Sequence, residues 1–171
     1  MILGMSIAAF TLLHVIISLV GIAAGVPVVY GLLAAKKLPG WTALFLASTV
    51  LTSVTGFFFP FKAFGPAHIV GTISLALLTV AILALYLYKL AGAWRWVYVV
   101  TAHASLYLNV FIGVTQAFQK IPALQALAPT GTEVPFASAQ AAVLALFIWI
   151  GVLAVKRFHV APLTPPVRRS A

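Results

Sequence analysis

Nearly all the chemistry this chain can offer rests on four histidines, His14, His68, His103 and His159. One carboxylate side chain, Glu133, accompanies them, and there is no cysteine. Imidazole can ligate haem iron, carry a proton or hold a hydrogen bond. Hydrolysis by a carboxylate pair is excluded for want of a second acid, and a Ser–His–Asp triad lacks its acid for the same reason. Without thiols there are no disulfides, thiolate nucleophiles, Cys-ligated zinc sites or iron–sulfur clusters. A closed divalent-metal site has too few strong ligands, so no metal residues are assigned. Glu133 is expected to pair with Lys120 or Lys62, or to be solvated.

The elements that position these groups follow from composition. The chain is 64% hydrophobic and 6% charged, whereas globular domains carry roughly 25% charged residues. Apolar runs near 8–34, 41–59, 67–88, 97–118 and 136–155 are each long enough to cross a bilayer as a helix, about 20 residues. Residues 1–157 thus read as a single all-α domain, a bundle of five transmembrane helices. Residues 158–171, with Pro162, Pro165 and Pro166, read as a disordered cytoplasmic tail. The N-terminal run lacks a basic leader and reads as a retained first helix. The loop 119–135 carries a stretch, Ile121–Ala128, suited to a short interfacial helix. No internal repeat supports a two-fold transporter architecture.

Charge gives the orientation. Five crossings put Lys36, Lys37, Lys89, Arg95, Lys156, Arg157, Arg168 and Arg169 on one side, and Lys62 and Lys120 on the other. The positive-inside rule then places the N-terminus outside and the C-terminus in the cytoplasm. The net charge of +9 is distributed in clusters at span ends, which suit anionic lipid head groups. No basic stripe interleaved with aromatics supports nucleic-acid binding.

Small and polar residues at helical spacing mark the faces expected to pack inward. Thr11, His14, Ser18, Gly21 and Gly25 do so in the first span, where Pro27 should introduce a kink. Ser48, Thr52 and Gly56 do so in the second, and His68, Thr72, Thr79 and Tyr86 in the third. In the fourth, Thr101, Ser105, Asn109, Gln116 and Gln119 fall within about 80° of one another. This polar seam is expected to hold the bundle together through interhelical hydrogen bonds; its alternative is a hydrated path for a neutral or anionic solute. The lack of carboxylates within the spans counts against proton pumps and cation-coupled carriers.

Depth arithmetic separates the histidines. His14 stands about 33 Å from Lys36 along a helix, and His68 about 32 Å from Lys89. The first and third spans run in the same direction, so both imidazoles belong at one outer level, as axial ligation of a b-type haem requires. Ser18, Gly21 and Gly25 could leave room for a macrocycle, and Phe57, Phe58, Phe59, Phe61 and Phe64 could wall it. The alternative is a pair of neutral imidazoles bonded to nearby hydroxyls or carbonyls. His103 lies about 12 Å from the Arg95 boundary, one turn from Tyr107. Together these two could hold a quinone head group, or His103 could bond a neighbouring helix. His159 belongs to the tail.

Three segments carry a resemblance: Thr52–Phe61 (TSVTGFFFPF), Tyr98–Lys120 with LYLNVF and FQK, and Ala128–Phe136 (APTGTEVPF). Together they resemble a group of small polytopic bacterial membrane proteins of unassigned function, over most of residues 10–155. In that group the last segment has an acid followed by Pro-Pro, whereas here Val134 stands between Glu133 and Pro135. The resemblance implies a bacterial inner-membrane location and no activity. The expected role is a non-catalytic accessory or assembly subunit of a larger membrane complex, or a homo-oligomer. A haem-b oxidoreductase and a solute pore or carrier are the alternatives.

Overall fold

Proline and serine set where the helices begin. The Ser6 hydroxyl accepts the Ala9 amide, 3.1 Å, and caps α1 (Ile7–Leu33). A proline stands in the first turn of α2 (Pro39–Gly56), α3 (Pro66–Ile82), α5 (Pro122–Leu127) and α6 (Val134–Arg157). There its missing amide is no loss and its fixed φ already suits the helix. α4 (Trp94–Lys120) completes the set, and α3 continues into a π-helical turn, Leu83–Leu87. These elements come from a computed structural model, which describes residues 1–60 and 65–159. No strand occurs among the described residues. Phe61, Lys62, Phe64, Arg168, Arg169 and the tail from Val160 lie outside them.

α1, Pro66–Leu87, α4 and α6 are long and apolar enough to cross a membrane, the mark of a multi-pass membrane protein. α2 stands apart from these four: it has 18 residues and carries Thr42, Ser48, Thr49, Thr52, Ser53 and Thr55. The stretch 121–128 does form a short helix, α5.

Within lipid, helices gain little by hiding apolar groups from one another. Close van der Waals packing and interhelical hydrogen bonds hold them instead, and the interior shows both. Ala81, Ala84, Ala102 and Ala154 are fully enclosed. α4 is the hub, packing against α1, α2, α3, α5 and α6. Its Leu106 fills the groove that Gly25 leaves on α1, where a Cβ would overlap the leucine methyl groups. Gln140 of α6 donates to the Phe111 carbonyl and to the Thr115 hydroxyl of α4, each at 3.1 Å.

Two expectations are corrected. The inward face of α3 is Ser74, Leu78 and Ala81, while Thr72, Thr79 and Tyr86 are exposed. The threonine hydroxyls donate to the His68 and Leu75 carbonyls of their own helix, which lets a threonine face lipid at little cost. Phe158, expected in the tail, is 2% exposed and belongs to the core. Its carbonyl accepts from Arg95 Nη1 at 2.8 Å, and the exposed His159 follows it.

Candidate functional site

α1, α2, α3 and α4 converge on a cavity of about 100 Å³ into which both His14 and His68 reach. α2 contributes Thr49, Thr52 and Ser53, α3 contributes Ser74, and α4 contributes Asn109. Phe57, Leu108 and Ile112 form apolar wall. The sequence placed the two imidazoles at one level, and they line one space.

Hydrogen bonds assign the two tautomers. The Thr55 hydroxyl donates to the Leu51 carbonyl at 2.7 Å, so it accepts from His14, whose Nδ1–H donates to it at 2.8 Å. In the neutral ring this leaves the lone pair on His14 Nε2. The Gly65 amide donates to His68 Nδ1 at 3.3 Å in the first turn of α3, so the proton of His68 sits on Nε2. The His14 ring stands edge-on to Phe59 at 5.2 Å, and Phe57 lies 5.7 Å from the His68 ring. Phe10 packs on Phe58 and Phe59 beside them. Of the expected phenylalanine wall, Phe61 and Phe64 lie outside the described residues.

The polar seam of α4 divides. Thr101, Ser105 and Asn109 are buried, whereas Gln116 and Gln119 are exposed and face each other at 3.5 Å. Thr101 and Ser105 return their hydroxyls to the carbonyls of Val97 and Thr101. Asn109 is the interhelical member. Its Oδ1 accepts from the Ser18 hydroxyl at 2.8 Å, and its Nδ2 donates to the Ser18 carbonyl at 3.4 Å. Gly21 admits this clamp, since a Cβ there would come within 3.1 Å of Asn109 Nδ2 and of Thr49 Oγ1. Thr52 Oγ1 is buried, lines the cavity and has no partner among the described residues. It is the group a polar guest would bond first.

The fit to a haem is poor. Cofactor-sized ligands occupy pockets of about 300–1,000 Å³, several times this cavity. Two axial imidazoles would also each have to present a lone pair to the iron, and His68 Nδ1 is taken by the Gly65 amide while its Nε2 carries hydrogen. The arrangement suits a small guest held by hydrogen bonds.

His103 and Tyr107 line a separate, apolar groove of about 400 Å³ between α4 and α6. His103 turns to α6, where Nε2–H donates to the Phe147 carbonyl at 2.8 Å. Gly151 makes that approach possible, because a Cβ there would lie 3.0 Å from His103 Cδ2. His103 Nδ1 is buried without a partner among the described residues. Of the expected quinone pair, His103 thus spends one ring nitrogen on α6, while Tyr107 lines the same groove.

Lys62, one expected partner of Glu133, lies outside the described residues, and Glu133 is held by its own loop. Its carboxylate accepts the Thr130 amide and hydroxyl at 2.9 and 2.8 Å and the Thr132 amide at 3.0 Å, with no ion pair to Lys120. These bonds, the Thr130 amide above all, hold its pKa down to about 2. Sequence reasoning missed Thr49, Ser53 and Ser74 as cavity lining; the signal for the first two was the crowding of hydroxyls in α2. Against known protein families, curated proteins and solved structures, the chain finds no match.

Proposed function

We propose that the chain is a five-span protein of a bacterial inner membrane, N-terminus outside and C-terminus in the cytoplasm, acting as a non-catalytic accessory or assembly subunit of a larger membrane complex. The observation that carries this reading is how the interior polar groups are used. His14 bonds Thr55, Ser18 bonds Asn109, Ser53 bonds Ser74, His103 bonds the Phe147 carbonyl, and Gln140 bonds α4. Each joins two helices, and no acid stands among them to make an acid–base pair.

The 18 residues of α2 give about 27 Å, close to the hydrocarbon thickness of about 30 Å, which supports counting it as a span. The six described cations Lys36, Lys37, Lys89, Arg95, Lys156 and Arg157 at one set of helix ends support the orientation. α6 fully buries only Ala154, leaving a long apolar surface for partner helices, a second copy of the chain, or lipid.

A photo-cross-linking residue in place of the exposed Trp149 tests the reading. We expect one specific membrane protein to be captured and to co-purify in mild detergent. A lone monomer that captures only lipid overturns it. The haem reading is favoured by one observation, the shared cavity of His14 and His68. An oxidised and dithionite-reduced absorption spectrum decides it: we expect no Soret band, whereas a Soret band lost in His14→Ala and His68→Ala would replace the accessory reading with a b-type haem carrier.

A further inference from the structure

The lysine-rich end of the bundle holds another cavity, of about 180 Å³. Val28 and Leu32 of α1, Leu85 of the π-helical turn, and Phe158 give it an apolar floor. Lys36 and Lys37, in the turn between α1 and α2, stand at its rim beside Tyr86. Val28 stands five residues, about 7.5 Å of helix, before the end of α1 at Leu33, and the lysines follow in the turn, so the space runs from apolar depth to a cationic mouth. Its shape is that of an amphiphile with an anionic head.

Charge strengthens the argument. Lys36 and Lys37 are exposed, and the chain's one acidic side chain cannot reach them. Glu133 precedes the 24 residues of α6, about 36 Å of helix, and Phe158 at the far end of that helix is the one lining this cavity. Glu133 is also held by its own loop. No acidic side chain of this chain balances the two lysines. One wall is irregular backbone: the π-helical turn Leu83–Leu87 is followed by Lys89 and Leu90 at φ of 50° and 61°. π-turns, and non-glycine residues with positive φ, gather at binding sites, and here they set Leu85, Tyr86 and Leu90 around the space.

We propose that this cavity binds a phosphate-bearing amphiphile, with the phosphate on Lys36 and Lys37 and the upper part of the tail among Val28, Leu32, Leu85 and Phe158. The site depends on neither the accessory role nor the orientation proposed above. The test is thermal unfolding of the full chain in neutral detergent, with added phosphatidylglycerol, phosphatidylcholine of the same chains, or inorganic phosphate. Phosphatidylglycerol at about a hundred times its dissociation constant should raise Tm by about 5–10 °C, and phosphatidylcholine should not. Inorganic phosphate giving the full shift alone would keep the phosphate chemistry and move its source from lipid to solution.

Lys36→Ala with Lys37→Ala should weaken phosphatidylglycerol binding about thirtyfold. The charge-matched pair Lys120→Ala with Lys156→Ala should leave it unchanged. Leu85→Trp, which fills the tail's place and keeps both lysines, should lose the shift and serves if the lysine variant does not fold. Equal shifts with both lipids, a wild-type shift in the Lys36/Lys37 variant, or an equal loss in the charge-matched pair would overturn the proposal.

Discussion

Gly25→Ala adds one methyl group to the face of α1 that meets α4. A Cβ at this position overlaps the methyl groups of Leu106 and lies 3.1 Å from its Cγ. Leu106 is 5% exposed, so its side chain has no open space to turn into, and α1 must move outward. Overpacking of this kind costs about 1–3 kcal/mol. Alanine's helix preference over glycine returns about 1 kcal/mol, leaving a net loss between zero and about 2 kcal/mol. Leu106→Ala alone leaves a hole and should cost about 2–5 kcal/mol. In the double variant the new methyl enters the space the leucine left, so the two changes should couple favourably by about 1–3 kcal/mol. The assay is SDS-driven unfolding of all four proteins in mixed micelles, followed by tryptophan fluorescence. Additivity within about 0.5 kcal/mol would refute the α1–α4 contact on which the Ser18–Asn109 clamp and the cavity above it depend.

Asn109→Leu should destabilise the bundle by about 0.6–1.7 kcal/mol, the range for a single interhelical hydrogen bond in a membrane. Ser18→Ala added to it should cost little more in the same unfolding assay, and full additivity would contradict the clamp. Glu133 governs the loop before α6. Its folded pKa lies at about 2, below its ordinary 4.5, so its contribution is present above about 4.5 and is lost as pH falls toward 2. Amide exchange at Thr130 and Thr132 should quicken across that window relative to the bundle. Glu133→Gln should be insensitive to it, and equal pH dependence in both proteins would remove the carboxylate from the account.

The helices were legible because their signals are local: a long apolar run, a proline at the first turn, a basic residue after the last. Depth was legible too, since counting back from Lys36 and Lys89 needs only the helical rise, and His14 and His68 line the same cavity. Rotation was not. A threonine on a helix can bond its own preceding turn, so Thr72 and Thr79 face outward while Ser74, standing alone on its face, meets Ser53 at 3.1 Å. The partner of His103 was hidden for a different reason. It is a backbone carbonyl, which every residue possesses, and the clue was the absence of a side chain at Gly151. The fate of Glu133 followed from its neighbours Thr130 and Thr132, closer in the chain than any lysine.

The distribution of acids constrains function more than the distribution of histidines does. An imidazole pair surrounded by Thr49, Thr52, Ser53, Ser74 and Asn109 can bind a guest through hydrogen bonds. Passing protons across the bundle would need a chain of titrating groups from this cavity to the other side, and the buried seam below it offers only Ser105 and Thr101, both bonded to their own helix. At the opposite end, lysines without acids favour an anion from outside. The bundle therefore has a hydrogen-bonding cavity toward one end and a cationic one toward the other; α1, α2 and α4 wall both, with α3 at the first and its π-helical turn at the second. α6 lines neither; only Phe158, just beyond it, reaches the cationic cavity. Its Leu144, Ile148 and Val152 stand four apart and exposed beside Trp149, an apolar ridge that a partner helix can pack against without disturbing either cavity. Cross-linking at Trp149 and lipid binding at Lys36 and Lys37 thus probe separable parts of the molecule, and each can fail while the other stands.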